Sequence, residues 1–314
     1  MEDRELQAID AAKLYYLGNY SQSEVAERMG VSRPTVSKLL SLAKETGYVR
    51  IEIDDPRESG SEIGRMLAEK YHLVDVAVTP VRAGSREEVL PALGRLGAEK
   101  LQELVKDNFV VGVSWGNTLY SMARHLKAQN LHGVEVVQLK GGLSHSDKTT
   151  NDFETIDLFC RSLNAKARLL PLPAVFRSAE VKRLVEDEPF ISDVMDHARH
   201  ADVVVFTVGS ARPDSTLFAM GYFTEKDKEK IVATAVGDIC SRWINTDGEI
   251  CVPDVDQRTV GISLDQLKDR PVRLMVAGGV EKAQVIEVAL RCGYATHLVI
   301  DQATALKVLG LEQL

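Results

Sequence analysis

The stretch SQSEVAERMGVSRPTVSKLLSLAKETGYVRIEI, residues Ser21 to Ile53, reads as two short helices, a turn between them and a trailing strand. Val25, Ala26 and Met29 lie before the turn Met29-Gly30-Val31-Ser32, and Val36, Leu39 and Leu40 lie after it. That spacing lets two helices bury their apolar faces against each other, which is the packing of a helix-turn-helix. Ser23, followed by Glu24 and Glu27, reads as the start of the first helix, and Gly30 supplies the backbone freedom that a sharp turn needs. Ser32 is expected to cap the second helix, with Pro34 in its first turn, where a missing N–H leaves nothing unsatisfied.

The outward face of that second helix carries Arg33, Thr35, Ser37, Lys38 and Ser41. A short, basic, polar N-terminal turn is what enters a DNA major groove. Arg33 or Lys38 suits the guanine O6 and N7 acceptors, and Thr35 or Ser37 suits a thymine methyl or a phosphate. The candidate DNA-binding set is therefore Ser32, Arg33, Pro34, Thr35, Ser37 and Lys38. The alternative is a plain three-helix packing unit whose serines and threonines are merely solvated. Over residues 21–50, Arg28, Arg33, Lys38, Lys44 and Arg50 stand against Glu24, Glu27 and Glu45, a local balance of +2 within a chain of net charge −8. Each phosphate contact steepens the salt dependence by a slope of about −0.9, so a module making few contacts is outcompeted at physiological salt. A second copy on a symmetric oligomer is implied.

At 314 residues, 45% hydrophobic and 27% charged, the chain has room for two domains and the balance of a globular protein. No apolar run approaches the roughly 20 residues needed to cross a bilayer. The N-terminus MEDRELQAID is acidic where a secretory signal is basic and then apolar, so no membrane partner and a cytoplasmic location are expected. Cys160, Cys240, Cys251 and Cys292 show no CxxC pair and no histidines at ligand spacing, which points to reduced thiols and to no metal.

Outward from the opening stretch, a helix from about Glu5 to Leu17 offers Leu6, Ile9, Ala12, Leu14 and Tyr16 as cover, ending at Gly18-Asn19. On the other side Gly47 closes the second helix, and Tyr48–Ile53 alternates as a strand. Asp54-Asp55-Pro56-Arg57-Glu58-Ser59-Gly60 breaks every pattern. Ile63, Met66, Leu67 and Tyr71 then mark a helix suited to packing between domains or between subunits. Beyond it, Val74–Thr79, Phe109–Val113, Val134–Leu139, Ala167–Leu172, Val203–Val208, Arg273–Ala277 and His297–Ile300 are apolar runs of strand length separated by helical stretches. That alternation predicts a parallel sheet covered on both faces, with ligands at the carboxyl ends of its strands.

Four loops after such strands are informative. Ser114-Trp115-Gly116-Asn117-Thr118 opens a helix whose first amides suit an anion, although a simple tight turn explains it too. It is neither a Walker loop nor a dinucleotide fingerprint. Lys140-Gly141-Gly142 puts a lysine at the mouth of an apolar strand, where desolvation lowers its pKa and favours a phosphate contact or attack on a carbonyl. The alternative is a snorkelling lysine; the nearby His145 reads as a loop residue. Asp238 and Arg242 follow Gly237, suited to sugar hydroxyls and phosphate respectively, or simply solvated. Gly278-Gly279 ends another strand and precedes Glu281-Lys282. Together these point to a small phosphorylated ligand and to no bound cofactor.

Taken in order, LYYLGNYSQSEVAERMGVSRPTVSKLL, VGVSWGNT, VVQLKGGLSHS, LLPLPAVF, FTVG, AVGDICSRWI and MVAGG resemble the SorC family of bacterial transcriptional regulators over nearly the whole chain. The resemblance implies an α/β protein: an N-terminal helix-turn-helix domain (1–54), a linker (55–60), and a Rossmann-like effector-binding and oligomerisation domain (61–314) similar to ribose-5-phosphate isomerase and glucosamine-6-phosphate deaminase. It implies dimers or tetramers on operator DNA, released or recruited by a phosphorylated sugar. The effector set is then Ser114, Gly116, Asn117, Thr118, Lys140, Gly141, Gly142, Asp238, Gly278, Gly279 and Lys282. Many members have glycine where this chain has Cys240-Ser241. Likeness to the members that control deoxyribonucleoside use would make the effector deoxyribose 5-phosphate, whose open-chain aldehyde a desolvated Lys140 can capture as a Schiff base. A competing reading is a sugar-phosphate isomerase, deaminase or aldolase with an appended DNA module. Asp238 and Glu281 are its only candidate bases, and no catalytic set emerges from them.

Overall fold

A computed structural model describes residues 3–49, 60–81, 86–147 and 150–311. The chain divides into two compact units, Met1–Asp55 and Pro56–Leu314.

In the first unit, α1 (Asp3–Ala12) runs on as one π-helical turn, Lys13–Leu17, closed by Gly18. Next come α2 (Gln22–Met29) and α3 (Arg33–Glu45). The N-cap of α2 is Ser21 rather than Ser23: its side chain accepts from the Glu24 amide, and the Glu24 carboxylate accepts the Ser21 N–H at 2.8 Å. This reciprocal box satisfies two first-turn donors, which Ser23 cannot do from inside the helix. Gly30, at φ 66, makes the left-handed turn, and Ser32 caps α3 with Pro34 in its first turn. The core is Ala8, Ala11 and Ala12 of α1 against Val25, Ala26, Val36, Leu39, Leu40 and Ala43. Leu6 is 43% exposed, so α1 buries an alanine stripe where larger side chains were expected. Small residues let the α1 and α3 backbones approach closely. Tyr48 and Val49 are not in a strand, the Val49 amide bonding instead to Ala43 O at 2.9 Å. The remainder of the expected strand, and all of the linker but Gly60, lie outside the described residues.

The second unit opens with α4 (Gly60–Tyr71). α4 covers the sheet of its own unit: Ile63, Leu67 and Tyr71 join its core, and Tyr71 Oη donates to Val308 O. Ten strands follow among the described residues: β1 (Asp75–Thr79), β2 (Val110–Val113), β3 (Glu135–Gln138), β4 (Lys166–Arg168), β5 (Val203–Phe206), β6 (Val208–Ser210), β7 (Gly237–Ile239), β8 (Arg242–Ile244), β9 (Val272–Val276) and β10 (His297–Asp301). Seven form a sheet in the order β1-β10-β9-β5-β2-β3-β4, every neighbouring pair parallel.

Period-two alternation splits its side chains between two cores. Leu139, Val204, Phe206, Met275, Leu298 and Ile300 face one layer of helices, which includes α4, and Val111, Val136, Val205, Leu274, Val276 and Val299 face the other. That second layer is built from α5 (Arg86–Leu104), α6 (Asn117–Ala123) and α7 (Asp152–Leu163). The chain reverses its direction of travel across the sheet between β2 and β5, and such a switch leaves a crevice at the strand ends. The run read as one strand, Val203–Val208, is two. It breaks at Thr207, and β6 leaves to pair antiparallel with β7, which pairs with β8. Trp115, Phe218, Tyr222, Phe223 and Trp243 form a third apolar cluster.

Candidate ligand cavity and nucleic-acid interface

A cavity of about 650 Å³ opens at the carboxyl ends of β2, β3, β5, β9 and β10. Of the residues expected around a ligand, Gly116, Asn117, Thr118, Lys140, Asp238, Gly278, Gly279 and Lys282 all line it, and so does Glu281. Gly116 sits at φ 144, a conformation that favours glycine, and α6 begins there with no side-chain cap on its first amides. Ser114 is 1% exposed and is not part of the lining.

Lys140 forms the floor. It is 5% exposed, its Nζ donates to Ser241 Oγ at 3.1 Å, and it stands 3.8 Å from the centre of the Trp115 ring. Trp115 is itself fixed, with Nε1 donating to Gly141 O at 2.7 Å. Burial pushes the Lys140 amine below the usual lysine range, against the opposing pull of Asp238, Cys240 and Asp152. Burial likewise raises the Asp238 carboxyl, opposed by Lys140, by the Ser241 N–H that it accepts at 2.9 Å, and by Lys282. Both groups are thus biased towards their neutral forms.

Gly141 and Gly142 lie off the cavity. A Cβ on Gly141 would stand 2.3 Å from Pro173 O, and one on Gly142 would stand 2.1 Å from Asp152 Oδ2. Their bareness serves close packing, and Asp152 is further held by Gln138 and Thr150. Arg242 also points elsewhere. It donates to Ile262 O, Gly261 O and the Asp256 carboxylate, so it is not placed to meet a phosphate in the cavity.

Gly278-Gly279 does line the cavity, but the Gly279 amide is already donated to Asp301 Oδ2 at 2.9 Å. Asp301 also accepts from the amide and hydroxyl of Thr304, so one buried carboxylate locks both the glycine loop and the next helix. Asp301 is a lining residue that sequence reading missed, because the strand was ended one residue early at Ile300. Thr207, Ser210 and Arg212 were missed as well, whereas Trp115 lies inside the loop already singled out. The Thr207 hydroxyl is buried with no hydrogen-bond partner among the described residues, a polar group that a ligand can satisfy. Val89, Leu90, Leu93 and Leu217 supply apolar wall. No group of three or more metal-ligating side chains occurs among the described residues, and no helix among them is long and apolar enough to cross a membrane.

In the first unit, Ser32, Arg33, Pro34, Thr35, Ser37 and Lys38 are all exposed on α3, opposite the buried stripe Val36, Leu39, Leu40 and Ala43. The Ser32 and Thr35 hydroxyls are engaged with each other at 2.8 Å, which leaves Arg33, Ser37 and Lys38 as the outward-facing polar groups of this set. A shallow groove of about 550 Å³ beside α3 is lined by Arg4, Glu5, Ser37, Lys38, Ser41, Leu42 and Glu45.

A family model described as "Putative sugar-binding domain" matches residues 55–310. The chain is 45% identical over 309 residues to the deoxyribonucleoside regulator of Bacillus subtilis (strain 168), covering 96% of this chain and 97% of that one. It is 32% identical over 311 residues to the transcriptional regulator YjhU of Escherichia coli (strain K12), covering 97% and 94%. The crystal structure of the full-length sorbitol operon regulator SorC from Klebsiella pneumoniae matches with a TM-score of 0.74 at 25% identity, covering 98% of this chain and 99% of that one. All three are named as regulators and none as an enzyme.

Proposed function

The chain belongs to the SorC-type family of transcriptional regulators with a sugar-binding domain, and from that membership we propose that it represses a sugar or deoxyribonucleoside catabolic operon and is released by a phosphorylated sugar. In this reading α2 and α3 act as a helix-turn-helix, with Arg33, Ser37 and Lys38 meeting operator DNA and Ser32, Pro34 and Thr35 fixing the start of the reading helix. The modest local charge makes operator binding depend on a dimer or tetramer.

The effector is deoxyribose 5-phosphate. Gly116, Asn117, Thr118, Gly278, Gly279 and Lys282 surround its phosphate, and Lys140 and Asp238 face its sugar end. A likeness of this domain to the sugar-phosphate isomerases and deaminases belongs to the same reading. One observation carries it: Lys140 stands buried on the cavity floor with its amine pushed towards the neutral, nucleophilic form. The Nζ lone pair bonds to the aldehyde carbon, and the carbonyl oxygen takes up a proton. That proton is one of the two hydrogens that nitrogen loses; the oxygen leaves as water once it has taken up the second, and C=N replaces C=O.

The effector acts only through differential affinity for two quaternary arrangements, and about 5.5 kcal/mol of it carries a population from mostly bound to mostly free. Borohydride reduction of the protein with deoxyribose 5-phosphate should leave a single adduct on Lys140. No adduct, or one on another lysine, overturns the covalent reading. A panel of five- and six-carbon sugar phosphates that leaves the thermal midpoint unmoved overturns the sensor.

A further inference from the structure

We propose that Ser241 is the positioning residue that aims the Lys140 amine into the cavity, an inference that rests on the imine reading above. The turn between β7 and β8 holds Cys240 at φ 50 and Ser241 at φ 68, two consecutive left-handed residues, neither of them glycine. On backbone grounds alone this turn favours glycine or asparagine. What the serine adds is its side chain. Ser241 is 0% exposed, its hydroxyl accepts the Lys140 Nζ–H at 3.1 Å, and its own N–H is held by Asp238 Oδ2 at 2.9 Å. Asp238 therefore fixes the serine, and the serine fixes the lysine.

The second contact on Nζ is the Trp115 ring face, 3.8 Å away. A neutral amine carries two N–H bonds and one lone pair in tetrahedral directions, and both of these contacts want N–H. With one N–H on Ser241 Oγ and the other on the ring, the lone pair is left the remaining direction, and Lys140 lines the cavity. Attack on an aldehyde carbon needs that lone pair, so the two contacts select the reactive orientation before the sugar arrives. Without the hydroxyl the amine stays buried but turns about its last bond, and the aim is lost. The chemistry itself is unchanged: C–N forms, water leaves, and no further reactant enters.

Two substitutions separate aim from stability. Ser241→Gly removes the hydroxyl and relieves the left-handed strain, so its thermal midpoint should hold or rise; Ser241→Ala removes the hydroxyl and keeps the strain, so its midpoint should fall. Adduct formation with deoxyribose 5-phosphate, trapped by cyanoborohydride and counted by mass spectrometry, should slow roughly 10- to 100-fold in both. Binding of the aldehyde-free alditol, 2-deoxyribitol 5-phosphate, should stay within about twofold of the native chain. Native trapping speed in Ser241→Gly overturns the proposal. So does a loss of alditol binding as large as the loss of rate, since Ser241 would then shape the cavity rather than aim the amine. If the native chain itself gives no Lys140 adduct, the imine reading fails and takes this proposal with it.

Discussion

Lys140 and Arg242 are two basic side chains buried to nearly the same degree, 5% and 6% exposed, yet they are treated in opposite ways. Arg242 gives its guanidinium to two backbone carbonyls and the Asp256 carboxylate, at 2.6 to 2.9 Å, and does not line the cavity. Lys140 gives Nζ one hydroxyl and one aromatic face, and has the cavity on its remaining side. A fully paired buried charge holds structure together, whereas an under-coordinated one is held ready for a ligand.

Substitution is the sharpest way to break that contrast. Arg242→Met strands Asp256 and two carbonyls and should cost about 3 kcal/mol of unfolding free energy in a denaturant titration. Lys140→Met removes an amine already biased towards its neutral form and should change stability by less than about 1 kcal/mol, in either direction. The same Lys140→Met chain should lose the thermal shift given by deoxyribose 5-phosphate. Equal destabilisation by the two changes would abolish the distinction.

A smaller effect appears with pH. The folded Lys140 amine titrates below its unfolded value of about 10.4, so as pH falls from there the unfolded chain takes up its proton first. Stability should therefore decline as pH is lowered from that value to the folded pKa and then level off, and Lys140→Met should erase this slope. Asp238 has the reverse sign. Its folded pKa is raised, so its contribution is complete below about 3.9 and is lost as pH rises through the folded value. A purely local effect lies in the other unit: Ser32→Ala removes the α3 cap and should cost about 1 kcal/mol of local stability, read by amide exchange over Val36–Leu40.

Much of this was legible. All seven strands of the parallel sheet lie within or beside the apolar runs that announced them: the central ones are apolar because both their faces are buried, whereas the edge strand β4, Lys166-Ala167-Arg168, is largely exposed and was marked only by the apolar residues that follow it. The β6-β7-β8 sheet was not, since three-residue strands containing Gly209, Gly237 and Asp238 carry no period to read. Lys140 and Gly278-Gly279 stood out because each follows a strand, and Asp238 because it follows a glycine. Gly141-Gly142 looked identical in sequence to Gly278-Gly279, and only the third dimension shows that the second pair lines the cavity while the first packs against Pro173 and Asp152; Gly278 itself lies just as close to Asp301. For the same reason Arg242 read as a phosphate contact: its partners Asp256, Gly261 and Ile262 come from a distant segment.

The shielding of Lys140 also has a consequence in time. On the covalent reading, letting the sugar go requires a water molecule to attack C=N at an amine only 5% exposed, behind Trp115 and Ser241. Departure is then paced by hydrolysis rather than by diffusion out of the cavity. A regulator built this way would keep its operon open for a spell after the sugar phosphate has been consumed, ignoring brief dips in supply. The depth of one lysine would thus set the memory of the switch.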